Sequence, residues 1–206
     1  MSRTQIRRLP EKAVPDVAAL HAVLDAGLVG HAAVVADGQP FVLPLAYARD
    51  GDRLLLHGST GSRLMRALAG GAPTCFTVTL LDGLILARTA FESSMRYRSA
   101  MVLGRCVALL GDDAELGLQR LTERLTPGRW ENLRPPSRKE LAATTIVALS
   151  LAEWSVKVSA GWPDDLDDDL DWPVWAGVVP LSQQWGAPLP SPDLRGAFAP
   201  PPSPQR

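Results

Sequence analysis

Residues 54–71 read LLLHGSTGSRLMRALAGG. A leucine run passes through small residues and one histidine into a segment bearing two arginines. The leucines have the character of a buried strand. Leu64, Ala67 and Leu68 share one face of a short helix that Gly70 and Gly71 end. The first turn of such a helix leaves N–H groups open and carries partial positive charge. Ser59, Thr60 and Ser62 add hydroxyls there, and Arg63 and Arg66 add cations, a set that suits a phosphate. The plainer reading is a strand-turn-helix in which Ser62 only caps the helix. His57 closes the strand. It either handles a proton near neutral pH or only bonds backbone at a strand end.

Outward from this junction the pattern alternates between hairpins and small helices. Val17, Leu20 and Leu24 recur at helical spacing behind Pro15 and Asp16, with Gly27 as a stop. The runs LVGHAAVVA, PFVLPLAYA and DRLLLHG are separated by Asp37-Gly38 and Asp50-Gly51, so residues 28–57 read as a three-stranded meander. TCFTVTLL and LILARTAF flank Asp82-Gly83, which reads as a further hairpin. YRSAMVLGRCVALL is a long strand whose Gly104 marks a bend. DDAELGLQRLTERL is amphipathic, Ser137 and Glu140 form a capping-box pattern, and TTIVALSLAEWSVKV supplies the last strand or strands. Six or seven short strands without βαβ alternation imply a mainly β fold, a closed or split antiparallel barrel with small flanking helices.

The chain has 206 residues, 46% hydrophobic, with a formal net charge of −1. That balance argues against a general nucleic-acid binder or a membrane-surface protein. No apolar run reaches the roughly 18–20 residues that span a bilayer, and no signal peptide is expected. Cys75 and Cys106 form neither a disulfide framework nor a metal pattern, so a cytoplasmic setting is expected and both should behave as small buried hydrophobes. His21, His31 and His57 are too scattered to argue a metal site. His21 and His31 read as structural.

Beyond Gly161 the composition changes. Ten of the 18 prolines and four of the six tryptophans lie there, with six aspartates in DDLDDDLD. Residues 1–13 read as a flexible N-terminus, 14–160 as the barrel domain, 161–190 as a Pro/Trp-rich arm packing on the barrel or on a partner, and 191–206 as a disordered tail. The aspartate run reads as a solvated loop, and Trp172, Trp175 and Trp185 as anchors of the arm.

LPLAYARDGDRLLLHGSTGSRLMRAL followed by SSMRYRSAMVLGRC resembles the pyridoxamine 5′-phosphate oxidase-like flavin-binding split barrels. Within them the likeness is to the flavin-nucleotide-binding branch related to 5-nitroimidazole reductases. LTERLTPGRW, VALSLAEWSVKV and WPVWAGVVPL extend it over residues 15–185 in unbroken order. The resemblance implies a Greek-key-like split barrel and a homodimer with FMN at the subunit interface. It further implies a small-molecule electron donor and acceptor, with a nitroaromatic as the candidate acceptor. The phosphate would meet Ser59, Ser62 and Arg63 beside Gly58. The ring would lie on Leu43, Pro44, Leu45 and Ala46, where Pro44 demands an edge or bulge. Tyr97, Arg98 and Ser99 would reach the flavin from another strand, and Lys157 is a further candidate contact. His57 would stand beside the flavin as the catalytic residue.

The stretch FVLPLAYA lacks the cation of the true pyridoxamine phosphate oxidases, and their C-terminal arginine signature is missing. Vitamin B6 chemistry is therefore not expected. Gly58-Ser59 also replaces the branch's usual Thr-Asn after the histidine. Haem or another flavin is the alternative cofactor, with His57 or His31 as the axial candidates for haem. A third reading is a non-catalytic flavin-binding protein.

Overall fold

The computed structural model describes residues 3–201. Eight strands run in chain order: β1 Val29–Ala36, β2 Gln39–Asp50, β3 Arg53–Ser59, β4 Pro73–Leu86, β5 Ser94–Ala108, β6 Thr144–Ser150, β7 Trp154–Ser159 and β8 Gly177–Pro180. Four α-helices accompany them: α1 Val17–Ala26, α2 Arg63–Ala69, α3 Gly111–Leu125 and α4 Arg138–Ala142. The strand order is β7-β5-β6-β3-β2-β1-β4-β8, and an added β4–β5 ladder closes six of them into a barrel. All the ladders are antiparallel. The fold is the expected mainly β split barrel.

The first three strands form the meander read from the sequence. Asp37 and Gly38 both take positive φ, 53° and 76°, as a tight hairpin with the right twist requires. β5 is the strand on which closure depends. Its residues 97–102 pair with β7 and its residues 106–108 pair with β6, while β4 runs along its other edge. Gly104 lies between the two sets, where a Cβ would meet Leu149 Cδ1 at 3.0 Å. Gly104 thus falls where the strand changes partner.

One hairpin expectation is overturned. Asp82-Gly83 does not turn the chain: β4 runs straight through it to Leu86, with a bulge between Leu81 and Gly83. Gly83 has φ 156°, and a Cβ on it would stand 2.6 Å from the Val179 carbonyl oxygen of β8. Glycine is needed here for close backbone approach, not for a turn. The real turn lies in ARTAFES, where the Ser93 hydroxyl donates to Thr89 O at 2.8 Å and accepts from the Ala87 N–H at 3.1 Å. TTIVALSLAEWSVKV resolves into two strands, β6 and β7.

The barrel interior is filled by Leu54, Leu56, Phe76, Val78, Val102, Val147 and Leu149. Leu20, Val23 and Leu24 of α1 and Leu64, Met65 and Leu68 of α2 join the same core. Each fully buried side chain of this size contributes about 1.5–3 kcal/mol. Tyr47 is buried among them, edge-on to Phe76, and donates its hydroxyl to Leu24 O at 2.6 Å. A second cluster forms on the outer surface, where Leu121 of α3 covers Ala48, Leu55, Ile146 and Ala148.

The segments just before α1 and just after β7 lie against the barrel. The Val14 N–H donates to Val156 O, Ala13 bridges Lys157, and Arg3 pairs with Glu153 at 2.6 Å. Beyond β7, Arg96 stacks on Trp162 and donates to Gly161 O, and β8 then joins β4. One aspartate of the acidic run departs from the solvated reading. The Asp165 side chain is 1% exposed and accepts from the Arg88 backbone N–H at 2.8 Å and from its guanidinium at 3.0 Å. The rest of the run is exposed or half-buried. The residues from Leu181 to Pro201 are exposed and carry no strand or helix, and residues 202–206 of the expected tail lie outside those described.

Two outcomes follow. Tyr47→Phe leaves the packing but removes a buried donor, and is expected to lower unfolding free energy by about 1–2 kcal/mol in urea titration. Gly83→Ala is expected to detach β8, read as faster proteolytic cleavage within residues 165–180, while the main thermal transition moves little.

Candidate functional site

β2 has two halves. Residues 47–50 pair with β3, whereas residues 39–46 pair only with β1. Leu43, Pro44, Leu45 and Ala46 therefore lie on a stretch with one free edge, the position that a residue without an N–H tolerates. Pro44 stands opposite His31.

β3 continues beside β6 to its end, with His57 opposite Ile146, Gly58 opposite Thr145 and Ser59 opposite Thr144. The chain then turns. The Ser59 hydroxyl accepts from the Gly61 N–H at 3.2 Å, the Ser62 N–H donates to Ser59 O at 2.9 Å, and the Ser62 hydroxyl caps α2 by accepting from the Met65 N–H at 3.4 Å. The capping reading of Ser62 is thus realised. Gly58 is pressed against α2: a Cβ there would meet Met65 Cγ at 2.8 Å.

Two side chains at this corner are left with chemistry to offer. Arg63 has no ion-pair partner among the described residues; its guanidinium rests 5.0 Å from the centre of the Phe41 ring. His57 is half-buried, and its Nδ1 is buried without a hydrogen-bond partner. Burial pushes its pKa below the ordinary histidine value, so the imidazole is neutral at pH 7. β2, β3 and the start of α2 thus bring residues 43–46, His57, Gly58, Ser59, Ser62 and Arg63 to one corner. Phe41 belongs with them. Its signal in the sequence was an aromatic on the same strand face as Leu43 and Leu45.

Tyr97, Arg98 and Ser99 lie elsewhere, between β4 and β7. Arg98 is engaged by Asp82 through two bonds of 2.7 and 2.9 Å. The Ser99 hydroxyl donates to Lys157 O at 3.5 Å, and Lys157 Nζ donates to Arg8 O at 3.1 Å. No hydrogen bond or ion pair among the described residues joins this group to the His57 corner. What the two share is a surface. Register runs one row across five strands, Pro44–His31–Thr77–Met101–Ser155, and residues paired in register point to the same side. Ser99 and Lys157 sit one step along that same outer face. α1 and α2 pack in the inner core and α3 covers β2, β3 and β6, so none of the three lies on this face.

His31 is exposed on the row just described. His21 has its Nε2 buried, 4.0 Å from Asp52. Cys106 is buried and its thiol is pushed up to about 11 by desolvation; Cys75 is half-buried, and both are free.

Residues 16–158 match the family model described as pyridoxamine 5′-phosphate oxidase. No curated protein matches the chain. Among solved structures, the FAD and heme binding protein from Mycobacterium smegmatis is 47% identical, with a TM-score of 0.89 over 93% of this chain and 94% of that one. The flavocytochrome Anf3 from Azotobacter vinelandii is 38% identical, with a TM-score of 0.92 over 98% of this chain and 94% of that one. A candidate 5-nitroimidazole antibiotic resistance protein from Bacteroides thetaiotaomicron is 18% identical, with a TM-score of 0.59 over 71% of this chain and 86% of that one, a likeness of fold. A split barrel whose core, corner and partner-switching strand all fall inside the matched segment belongs, with this chain, to the pyridoxamine 5′-phosphate oxidase family.

Proposed function

We propose that the protein is a flavin-binding redox protein, working as a homodimer whose cofactor lies where the uncovered sheet faces meet. The observation that carries the reading is 47% identity, across 93% of the chain, to a protein that binds FAD and haem. The corner residues fit such a group. Arg63 is a cation held by an aromatic ring and by no carboxylate, so a phosphate gains a charge-assisted bond there without breaking an ion pair. Ser59, Gly58 and the free edge of β2 give polar and flat surface beside it. His57 offers a buried nitrogen that nothing among the described residues satisfies.

A flavin would supply the electron transfer, from a small donor to a small acceptor. The chain's part is to bind the phosphate through Arg63, to seat the ring on residues 43–46, and to hold a neutral imidazole at His57 that can exchange a proton. A nitroaromatic is the first acceptor to assay. FMN is the flavin implied by the sequence resemblance. FAD is favoured by the identity to the mycobacterial protein, and haem beside it by that protein and the flavocytochrome together. His57 and His31 are the side chains of the right kind for haem; a neutral imidazole needs no proton removed before it ligates. The two unpaired cysteines support a reducing, cytoplasmic setting.

Purified protein incubated with FMN or FAD and then desalted is expected to retain a two-band flavin spectrum. Arg63→Ala should weaken that retention by about 10- to 100-fold, the scale of one charged hydrogen bond. A Soret band would establish haem, and a colourless protein that holds neither group would end the proposal.

His57 carries a separate pH signature in the ligand-free protein. Its folded pKa lies below the unfolded value of roughly 6.5. Above that value both states are neutral and the group contributes nothing to pH dependence. As pH falls through it the unfolded chain takes up the proton first, and stability drops. His57→Gln is expected to flatten the loss of thermal stability between pH 7 and 5. An unchanged slope would show that the histidine titrates normally.

A further inference from the structure

α3 covers only part of the outer face of β3, β5 and β6. Leu55, Ile146 and Ala148 lie beneath Leu121. Two residues further along, the same face carries Arg53 of β3 and Ser150 of β6, opposite each other in register. On β5, Val107 stands opposite Ala148, and Arg105, two residues before it, shares that face. These residues, with Leu109, Asp50 and Asp52, line an open cleft of about 530 Å³. That size lies within the ordinary range of small-molecule sites. None of its lining residues belongs to the His57 corner.

The cleft holds more cation than its carboxylates answer. Asp50 is 16% exposed and both its oxygens are taken. Oδ2 accepts from Arg53 Nε at 3.0 Å and Nη2 at 2.8 Å, and Oδ1 lies 3.0 Å from Arg120 Nε. One carboxylate therefore serves two guanidiniums. Arg105 has no ion-pair partner among the described residues and donates one N–H to the Gly71 carbonyl. A guanidinium has five N–H donors, so Arg53 and Arg105 both keep some unspent. The Ser150 hydroxyl accepts from the Ala152 N–H at 3.2 Å and still has its own hydrogen to give. The opposing charge is Asp52 at the rim, exposed and 4.0 Å from His21 Nε2. Arg53, Arg105 and Arg120 against Asp50 and Asp52 leave one positive charge over. Below the arginines the floor is apolar, formed by Val107, Leu109 and Ala148, with Val107 66% exposed.

The geometry points to a second binding site, for a small organic acid: one carboxylate carried on an apolar body. The carboxylate bonds the unpaired Arg105, with Ser150 and Arg53 beside it, and the body covers Val107, Leu109 and Ala148. A bare inorganic anion would leave that apolar floor in water, and a doubly charged one would exceed the single surplus charge. The site is separate from the flavin corner and does not depend on the flavin.

The test is an amide chemical-shift titration of the isotope-labelled full chain with phenylacetate. Phenylacetamide serves as its neutral match and inorganic phosphate as the bare anion. Phenylacetate is expected to half-saturate the protein at about 1 mM or below, the reach of a ligand of its size. The shifted signals should come from residues 50–53, 105–109 and 148–150. Phenylacetamide and phosphate should each bind about tenfold more weakly or worse. Arg105→Gln should weaken phenylacetate by about tenfold or more. Val107→Glu, which sets a carboxylate of the chain's own in the cleft, should do the same. That exposed position keeps the test decisive if Arg105→Gln, which also gives up the bond to Gly71, does not fold. Arg63→Ala should leave phenylacetate binding unchanged. Shifts centred on His57 and lost in Arg63→Ala would put the acid in the flavin corner and overturn the second site. Equal binding of phenylacetamide or of phosphate would overturn the organic-acid assignment, as would no shift up to about 20 mM phenylacetate.

Discussion

Closure of the barrel rests on one strand having more length than either of its partners. β5 runs 15 residues, keeps β4 on one edge along residues 94–105, and divides the other edge between β7 and β6. A backbone edge left unpaired inside a sheet carries the cost of unmade hydrogen bonds. The division at Gly104 therefore decides where β6 can enter, and with it the place of β3. Since β3 takes only the C-terminal half of β2, the N-terminal half is left with a free edge. The candidate site sits on that leftover edge.

The same arithmetic explains why the polar groups of the site lie where they do. α2 is short and its first residue, Arg63, is exposed, while Leu64, Met65 and Leu68 hold its other side in the core. Met65 leaves no room for a side chain at position 58, so the strand end can approach the helix only as glycine. His57, next along the strand, is half-buried, its Nδ1 has no hydrogen-bond partner among the described residues, and desolvation lowers its pKa. An unsatisfied buried nitrogen costs stability, and a site that binds a cofactor recovers that cost when it fills. Arg63 is exposed, with an aromatic ring beneath it and no ion-pair partner among the described residues. Arg98, by contrast, is already answered by Asp82, which makes it a brace between β4 and β5 before it is anything else.

Much of this was legible in the residues. The meander over residues 28–57, the short helix after Ser62 and the capping box at Ser137 each rest on chemistry that acts within a few residues. The corner at Ser59 to Arg63 was legible for the same reason. Asp82-Gly83 misled because the dipeptide favours a turn, whereas the glycine answers to Val179, almost a hundred residues away. Asp165 looked like one more solvated aspartate because its partner Arg88 belongs to a distant loop. Phe41 gave only a weak sign, since an aromatic in a strand is core far more often than it is a seat for an arginine.

The sequence by itself determined the local elements, the positive-φ turns, the capped helix starts and the mainly β class, because each follows from sterics and hydrogen bonding between near neighbours. Tertiary structure alone decided which strands share an edge, that part of β2 is left with a free edge, that Ser99 and Pro44 lie apart on one common face, and that His57 loses its partners. Those are matters of long-range pairing and desolvation, and no short stretch of residues contains both members of the pairs that set them.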